Sequence, residues 1–134
     1  MYYNTTAAIF EDSAVASEYQ FKLCNTTDEL FWYFSSSKKT PVLVGVGQKK
    51  NSSIETLVVS RDDCEPDSTD KNVMALIICE FVYSESFKEH IDEIQICIDD
   101  LNSMKVDSIQ LNSCQIKLSI EGRGGYECNK PVLQ

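Results

Sequence analysis

The sequence predicts an α+β fold: a mostly antiparallel sheet with one long amphipathic helix packed on a face and a second short helix. Three observations predict it. Phe87, Ile91, Ile94, Ile98 and Leu101 recur at spacings of 4, 3, 4 and 3. At about 100° per residue they share roughly 80° of arc, the apolar stripe of a core-facing helix. Strand-like runs follow one another without helices between them, which argues against a doubly wound parallel sheet. The chain is 134 residues long, 43% hydrophobic and 25% charged. That is one domain of ordinary globular composition, 1–134, with enough length for a real core.

Taken in order, Thr5–Phe10 and Tyr19–Cys24 read as short strands. In the second, Tyr19, Phe21 and Leu23 alternate with Gln20 and Lys22, the period of a half-buried strand. Thr26-Thr27-Asp28-Glu29 has the S/T-x-x-E form of a capping box. Leu30, Phe31 and Phe34 follow at helical spacing, so a short helix is expected to about Ser37, although its aromatics also suit a strand. Val42–Val46 and Ile54–Ser60 are β-branched runs joined by a polar, turn-rich segment, the pattern of a hairpin. A loop, Arg61–Asn72, contains Pro66 and five acids. Val73–Tyr83 is a long apolar run of β-branched and aromatic residues without a 3.6 period, and is read as the central strand. Ser86-Phe87-Lys88-Glu89 opens the main helix as a second capping box, and the helix is expected to run to Ser103. Val106–Leu111 and Cys114–Ile120 complete the strands, and Gly122-Arg123-Gly124-Gly125 reads as a turn. The expected order is β-β-α-β-β-β-α-β-β.

Charge carries the functional reading. Twelve Lys and Arg stand against 21 Asp and Glu, a formal charge of −9. This disfavours nucleic acid, which needs a basic face, and anionic membrane. Residues 1–60 hold five basic and six acidic side chains, whereas 61–134 hold seven and fifteen, so nearly all the excess lies in the second half. The acids concentrate in the loop (Asp62, Asp63, Glu65, Asp67, Asp70) and on the main helix (Glu89, Asp92, Glu93, Asp99, Asp100). Projected on a helix, the latter five span about 120° to 240° from Phe87, with Ile96 at about 180° among them. An apolar residue ringed by carboxylates is the pattern of an interface anchor. The plainer explanations are a solvated acidic face and a single exposed Ile, both common.

Catalytic patterns are lacking. The single histidine, His90, rules out multi-histidine metal sites within one chain and flanks the helix's core face. Cys-His catalysis lacks a recognisable neighbourhood around any of the six cysteines. Asp67-Ser68-Thr69-Asp70-Lys71-Asn72 lacks the glycine and the terminal glutamate of an EF-hand loop. Gly45-Val46-Gly47 lacks the spacing of a phosphate loop. Glu80, inside an apolar run, is either a buried acid or a residue facing solvent near a strand end. No metal, cofactor or catalytic residue is therefore expected.

The cysteines Cys24, Cys64, Cys79, Cys97, Cys114 and Cys128 form no CxxC pair. Residues 1–16 lack the basic start and apolar stretch of a secretory signal, so the expectation is a cytoplasmic protein with reduced thiols. The function expected is a non-enzymatic acidic binding protein, of the inhibitor or immunity type, that masks a basic protein partner such as a toxin or nuclease. The alternative is a secreted, disulfide-linked, glycosylated recognition domain. The sequons at Asn4, Asn25 and Asn51 would suit it.

Overall fold

The computed structural model describes residues 3–27, 30–35, 42–48, 54–61, 68–118 and 125–131. Two short helices come first, α1 (Tyr3–Glu11) and α2 (Ala14–Glu18). Four strands follow: β1 (Phe21–Thr26), β2 (Leu30–Ser35), β3 (Val42–Gln48) and β4 (Ile54–Arg61). Helix α3 (Ser68–Tyr83) leads through a 3-10 helix (Ser84–Glu89) into α4 (Ile91–Asn102). Strands β5 (Ser108–Leu111), β6 (Cys114–Leu118) and β7 (Tyr126–Pro131) close the order. All seven strands join one sheet, in the order β1-β2-β3-β4-β7-β6-β5. Every pairing is antiparallel, so the expected α+β class with an antiparallel sheet is what forms.

The sheet has one face under helices. Val42, Val44 and Val46 of β3, Leu57 and Val59 of β4, Tyr126 and Cys128 of β7, and Cys114 and Ile116 of β6 alternate into the same core as the buried residues of α1, α3 and α4. Helix α1 lies over β2 and β3, α3 over β3 and β4, and α4 against α3 and β6. The opposite face is also well covered at its centre. The Trp32 ring lies so close over Gly45 that a Cβ there would sit 3.0 Å from it. On the same face Thr56 Oγ1 donates to Asn129 Oδ1 (3.0 Å), Asn129 Nδ2 donates to Glu127 Oε2 (2.9 Å), and Lys117 Nζ sits 3.4 Å from that carboxylate. Thr56, Glu127 and Asn129 are buried, and partnering of this kind is what makes buried polar groups tolerable.

Several sequence expectations are corrected. The expected strand Thr5–Phe10 is helix α1. Its Ala7 and Phe10, three apart, point into the core, and Phe10 packs edge-on against Phe21 at 5.5 Å. The expected helix after Thr26 is strand β2. Thr27 donates both its N–H (2.9 Å) and its hydroxyl (3.3 Å) to the Leu30 carbonyl, closing a β1–β2 hairpin instead of capping a helix. The expected central strand Val73–Tyr83 is helix α3, sixteen residues long and buried among the sheet, α2 and α4. Its half-exposed side carries apolar Leu76 and Phe81 and amphipathic Tyr83 beside polar Asn72 and Glu80, so hydropathy along the helix shows little period. The single long helix Ser86–Ser103 is divided. The Ser86 hydroxyl donates back to the Tyr83 carbonyl (3.1 Å), the chain runs as a 3-10 helix, and His90 (φ −117°) breaks it before twelve residues of α-helix. Strand β7 has no counterpart among the expected elements.

The α4 C-terminus and the β5–β6 hairpin use left-handed residues. Met104 (φ 59°) follows α4, with its N–H on the Leu101 carbonyl and that of Lys105 on the Asp100 carbonyl. Asn112 (φ 46°) and Ser113 (φ 69°) make the hairpin turn. The Asn112 amide donates to the Val82 carbonyl (2.8 Å), tying that turn to the end of α3.

Candidate functional site

Helix α4 divides by side. Ile94, Cys97, Ile98 and Leu101 are buried against the core, and Ile91 is half-buried. Two side-chain bonds hold its orientation. Gln95 Nε2 reaches Asn72 Oδ1 of α3 (3.5 Å), and Tyr126 of β7 donates to Asn102 Oδ1 (2.8 Å). The opposite side presents Asp92, Glu93 and Asp99 to solvent, with Asp100 half-exposed, and Glu89 is exposed on the preceding 3-10 helix. Ile96 stands in their midst at 61% exposure. The described residues therefore leave Ile96 uncovered.

The placement of the acids is uneven in energetic terms. Asp92 and Glu93 lie in the first turn of α4, where the helix dipole favours negative charge. Asp99 and Asp100 lie at its other end, where carboxylates are unfavourable and the last turn carries no base to offset them. Helix stability alone does not call for them there.

Glu93 is the best-anchored carboxylate. Its Oε2 accepts the Tyr83 hydroxyl (2.8 Å) and its Oε1 faces His90 Nδ1 (3.2 Å), while the His90 ring stacks on Tyr83 at 3.8 Å. The Tyr83 bond, and then His90, hold the Glu93 carboxyl below its ordinary value. Burial, reinforced by that same carboxylate, pushes the Tyr83 phenol up to about 12. This cluster locks the junction between α3 and α4.

Of the loop acids, Asp70 falls in the first turn of α3, and Asp62, Asp63, Glu65 and Asp67 lie outside the described residues, as does Cys64. The acids that share one side are Asp92, Glu93, Asp99 and Asp100 of α4, whereas Glu89, expected on the same arc, falls on the 3-10 helix before the break at His90. Glu80, read in the sequence as a strand residue, sits on α3 and caps α2. Its two oxygens accept the Ala14 (3.1 Å) and Val15 (3.2 Å) N–H groups, while Ser13 Oγ accepts from Ala16 (3.2 Å). No local signal announces this bond, because its partners are far apart in the chain.

The described cysteines are free thiols, with Cys24 exposed and Cys79, Cys97, Cys114 and Cys128 buried. Burial pushes Cys79 up to about 11, helped by Glu93 and Glu80, and also raises Cys97, Cys114 and Cys128. The buried thiols are thus protonated at neutral pH and poor nucleophiles. No cluster among the described residues has three groups placed to hold a metal ion, and no described helix is long and apolar enough to cross a membrane. A second feature went unnoticed in the sequence: a recess between α1 and α3 where Glu55 and Lys130 meet, 3.6 Å apart. Comparison with models of known families, with curated proteins and with solved structures finds no match.

Proposed function

We propose that the chain is a non-enzymatic binding protein, of the inhibitor or immunity type, that masks a basic protein partner with the outer face of α4. The observation carrying the proposal is Ile96, exposed on α4 with Asp92, Glu93, Asp99 and Asp100 one turn to either side of it. Carboxylates held on one face raise the encounter rate with a cationic surface, and a central apolar side chain supplies desolvated contact once docked. Asp99 and Asp100 support the reading, because they persist where the helix dipole disfavours them. Asp62, Asp63, Glu65, Asp67 and Asp70 are proposed as partner-binding residues as well. A cytoplasmic setting with reduced thiols belongs to it as well.

The test is capture of partners from cell extract at low and moderate salt, with the wild-type chain and a Glu89→Lys, Asp92→Lys, Asp99→Lys variant as baits. Glu93 is left intact because it anchors Tyr83 and His90. The expected result is a basic protein retained by the wild type, released as salt rises, and lost by the triple variant. Undiminished retention by the variant overturns the proposal.

A further inference from the structure

The recess between α1 and α3 is a separate site: none of the acids of α4 lines it. Phe10 of α1, Ile77 and Phe81 of α3, and Val46 and Leu57 of the sheet line it around a free volume of about 60 Å³ that opens to solvent. Ile9, 62% exposed, stands among the lining residues. A partly enclosed apolar cavity with a few polar groups is the usual form of a small-ligand site.

Its polar groups differ in how far they are already committed. Glu80 has both oxygens on α2 amides, and the Ser13 hydroxyl donates to the Phe10 carbonyl (2.7 Å) while accepting from Ala16. Glu55 is different. Its side chain is only 16% exposed, yet the nearest cation among the described residues, Lys130 Nζ, stands 3.6 Å away, beyond hydrogen-bond length. Lys130 is shared with the Phe81 ring, 4.7 Å beneath its ammonium. Among the described residues no donor lies within hydrogen-bond reach of the Glu55 carboxylate. A largely buried carboxylate without a hydrogen bond is costly, and a donor entering from the cavity would remove that cost. Two carboxylates against one ammonium in the lining, within a chain of charge −9, favour a cationic donor.

We propose that this recess binds a small apolar amine, its ring or alkyl body among Phe10, Leu57 and Ile77 and its ammonium donating to Glu55. The site stands independently of the α4 surface, and Asp92→Asn separates the two.

The experiment titrates 2-phenylethylamine, the matching carboxylate 3-phenylpropionate and neutral 2-phenylethanol into the full chain at neutral pH, following the methyl resonances of Ile77, Leu57 and Val46. The amine is expected to saturate these shifts and to bind about tenfold tighter than either analogue, the worth of one charge-assisted hydrogen bond. Glu55→Gln, of the same shape, reduces amine affinity about tenfold. Asp92→Asn, the same charge change on α4, leaves it within about twofold, because Asp92 is outside the lining and its exposed charge is screened by solvent and salt. Lys130→Met releases Glu55 and tightens the amine, which keeps the test decisive if Glu55→Gln fails to fold. Three results would each overturn the proposal: equal binding of the carboxylate, equal loss in Asp92→Asn, or weaker amine binding in Lys130→Met. Absence of saturating methyl shifts does the same.

Discussion

Helices α3 and α4 pack against each other on the same side of the sheet, but only α4 has a side of fully exposed residues. From Val73 to Val82 every side chain of α3 is buried or half-buried, because the sheet lies beneath it and α2 and α4 flank it. On α4, buried Ile94, Ile98 and Leu101 back onto exposed Asp92, Ile96 and Asp99. The difference teaches where to look for each property. A helix without a fully exposed residue over ten positions contributes mainly stability, and what it offers for recognition lies in recesses between elements, as at Ile77 and Phe81. A helix enclosed on one side can lose or change its outer residues without unfolding, so its outer residues are available to function.

The largest effect that would sharpen or break this contrast is a pair of truncations. Ile78 on α3 is fully buried, and Ile78→Ala is expected to cost about 2–5 kcal/mol through lost burial and the cavity left behind. Ile96→Ala is expected to change stability by no more than about 0.5 kcal/mol. Urea unfolding of both variants measures this. A cost near 2 kcal/mol for Ile96→Ala would mean that something covers the acidic face in the folded chain, and the contrast would fall.

The same contrast explains what the sequence reveals. The α4 stripe was readable because water imposes a period on any helix it touches, and the acids around Ile96 stand where that period puts them. Helix α3 reads as a strand because apolar Leu76 and Phe81 stand on its half-exposed side and blur the period, leaving β-branched Val73, Ile77, Ile78 and Val82 to imitate a strand. The β3–β4 hairpin and β6 were readable from β-branched and alternating residues. Helix α1 was not, since its Thr, Ile and Phe residues favour strand locally and only docking of Ala7 and Phe10 decides otherwise. The α1–α3 recess had no local trace at all, because Glu55 and Lys130 meet only through pairing of β4 with β7.

An intermediate effect concerns the half-buried part of α3. Glu80 is one of its few polar positions, and it is spent on holding α2. Glu80→Ala is expected to cost about 0.5–2 kcal/mol, the usual range for a lost helix cap. Amide exchange at Ala14 and Val15 is expected to accelerate more than exchange within β3. Unchanged exchange at those two amides would show that α2 is held by Val15 and Ala16 packing alone.

The smallest effect lies at the joint between the two helices. Folding lowers the Glu93 carboxyl below its ordinary value of 4.5, because the charged form accepts the Tyr83 hydroxyl and faces His90. A depressed carboxyl stabilises the fold fully above its unfolded value, and that gain disappears as pH falls through the folded value. The stability difference between wild type and Glu93→Gln should therefore be level above about pH 5 and shrink progressively below pH 4.5. Tyr83 supplies the opposite limb. Its phenol moves from 10 to about 12, so the neutral form it favours stabilises fully below pH 10, and the gain is lost as pH rises toward 12. In Glu93→Gln the burial part of that alkaline limb persists and the carboxylate part goes. Because Glu93 is exposed, solvent screening keeps both limbs shallow, and urea midpoints across pH 3–8 are the measurement sensitive enough to follow the acidic one. A difference that grows on acidification would mean that the α3–α4 joint is held by the neutral acid and not by the carboxylate that accepts the Tyr83 hydroxyl.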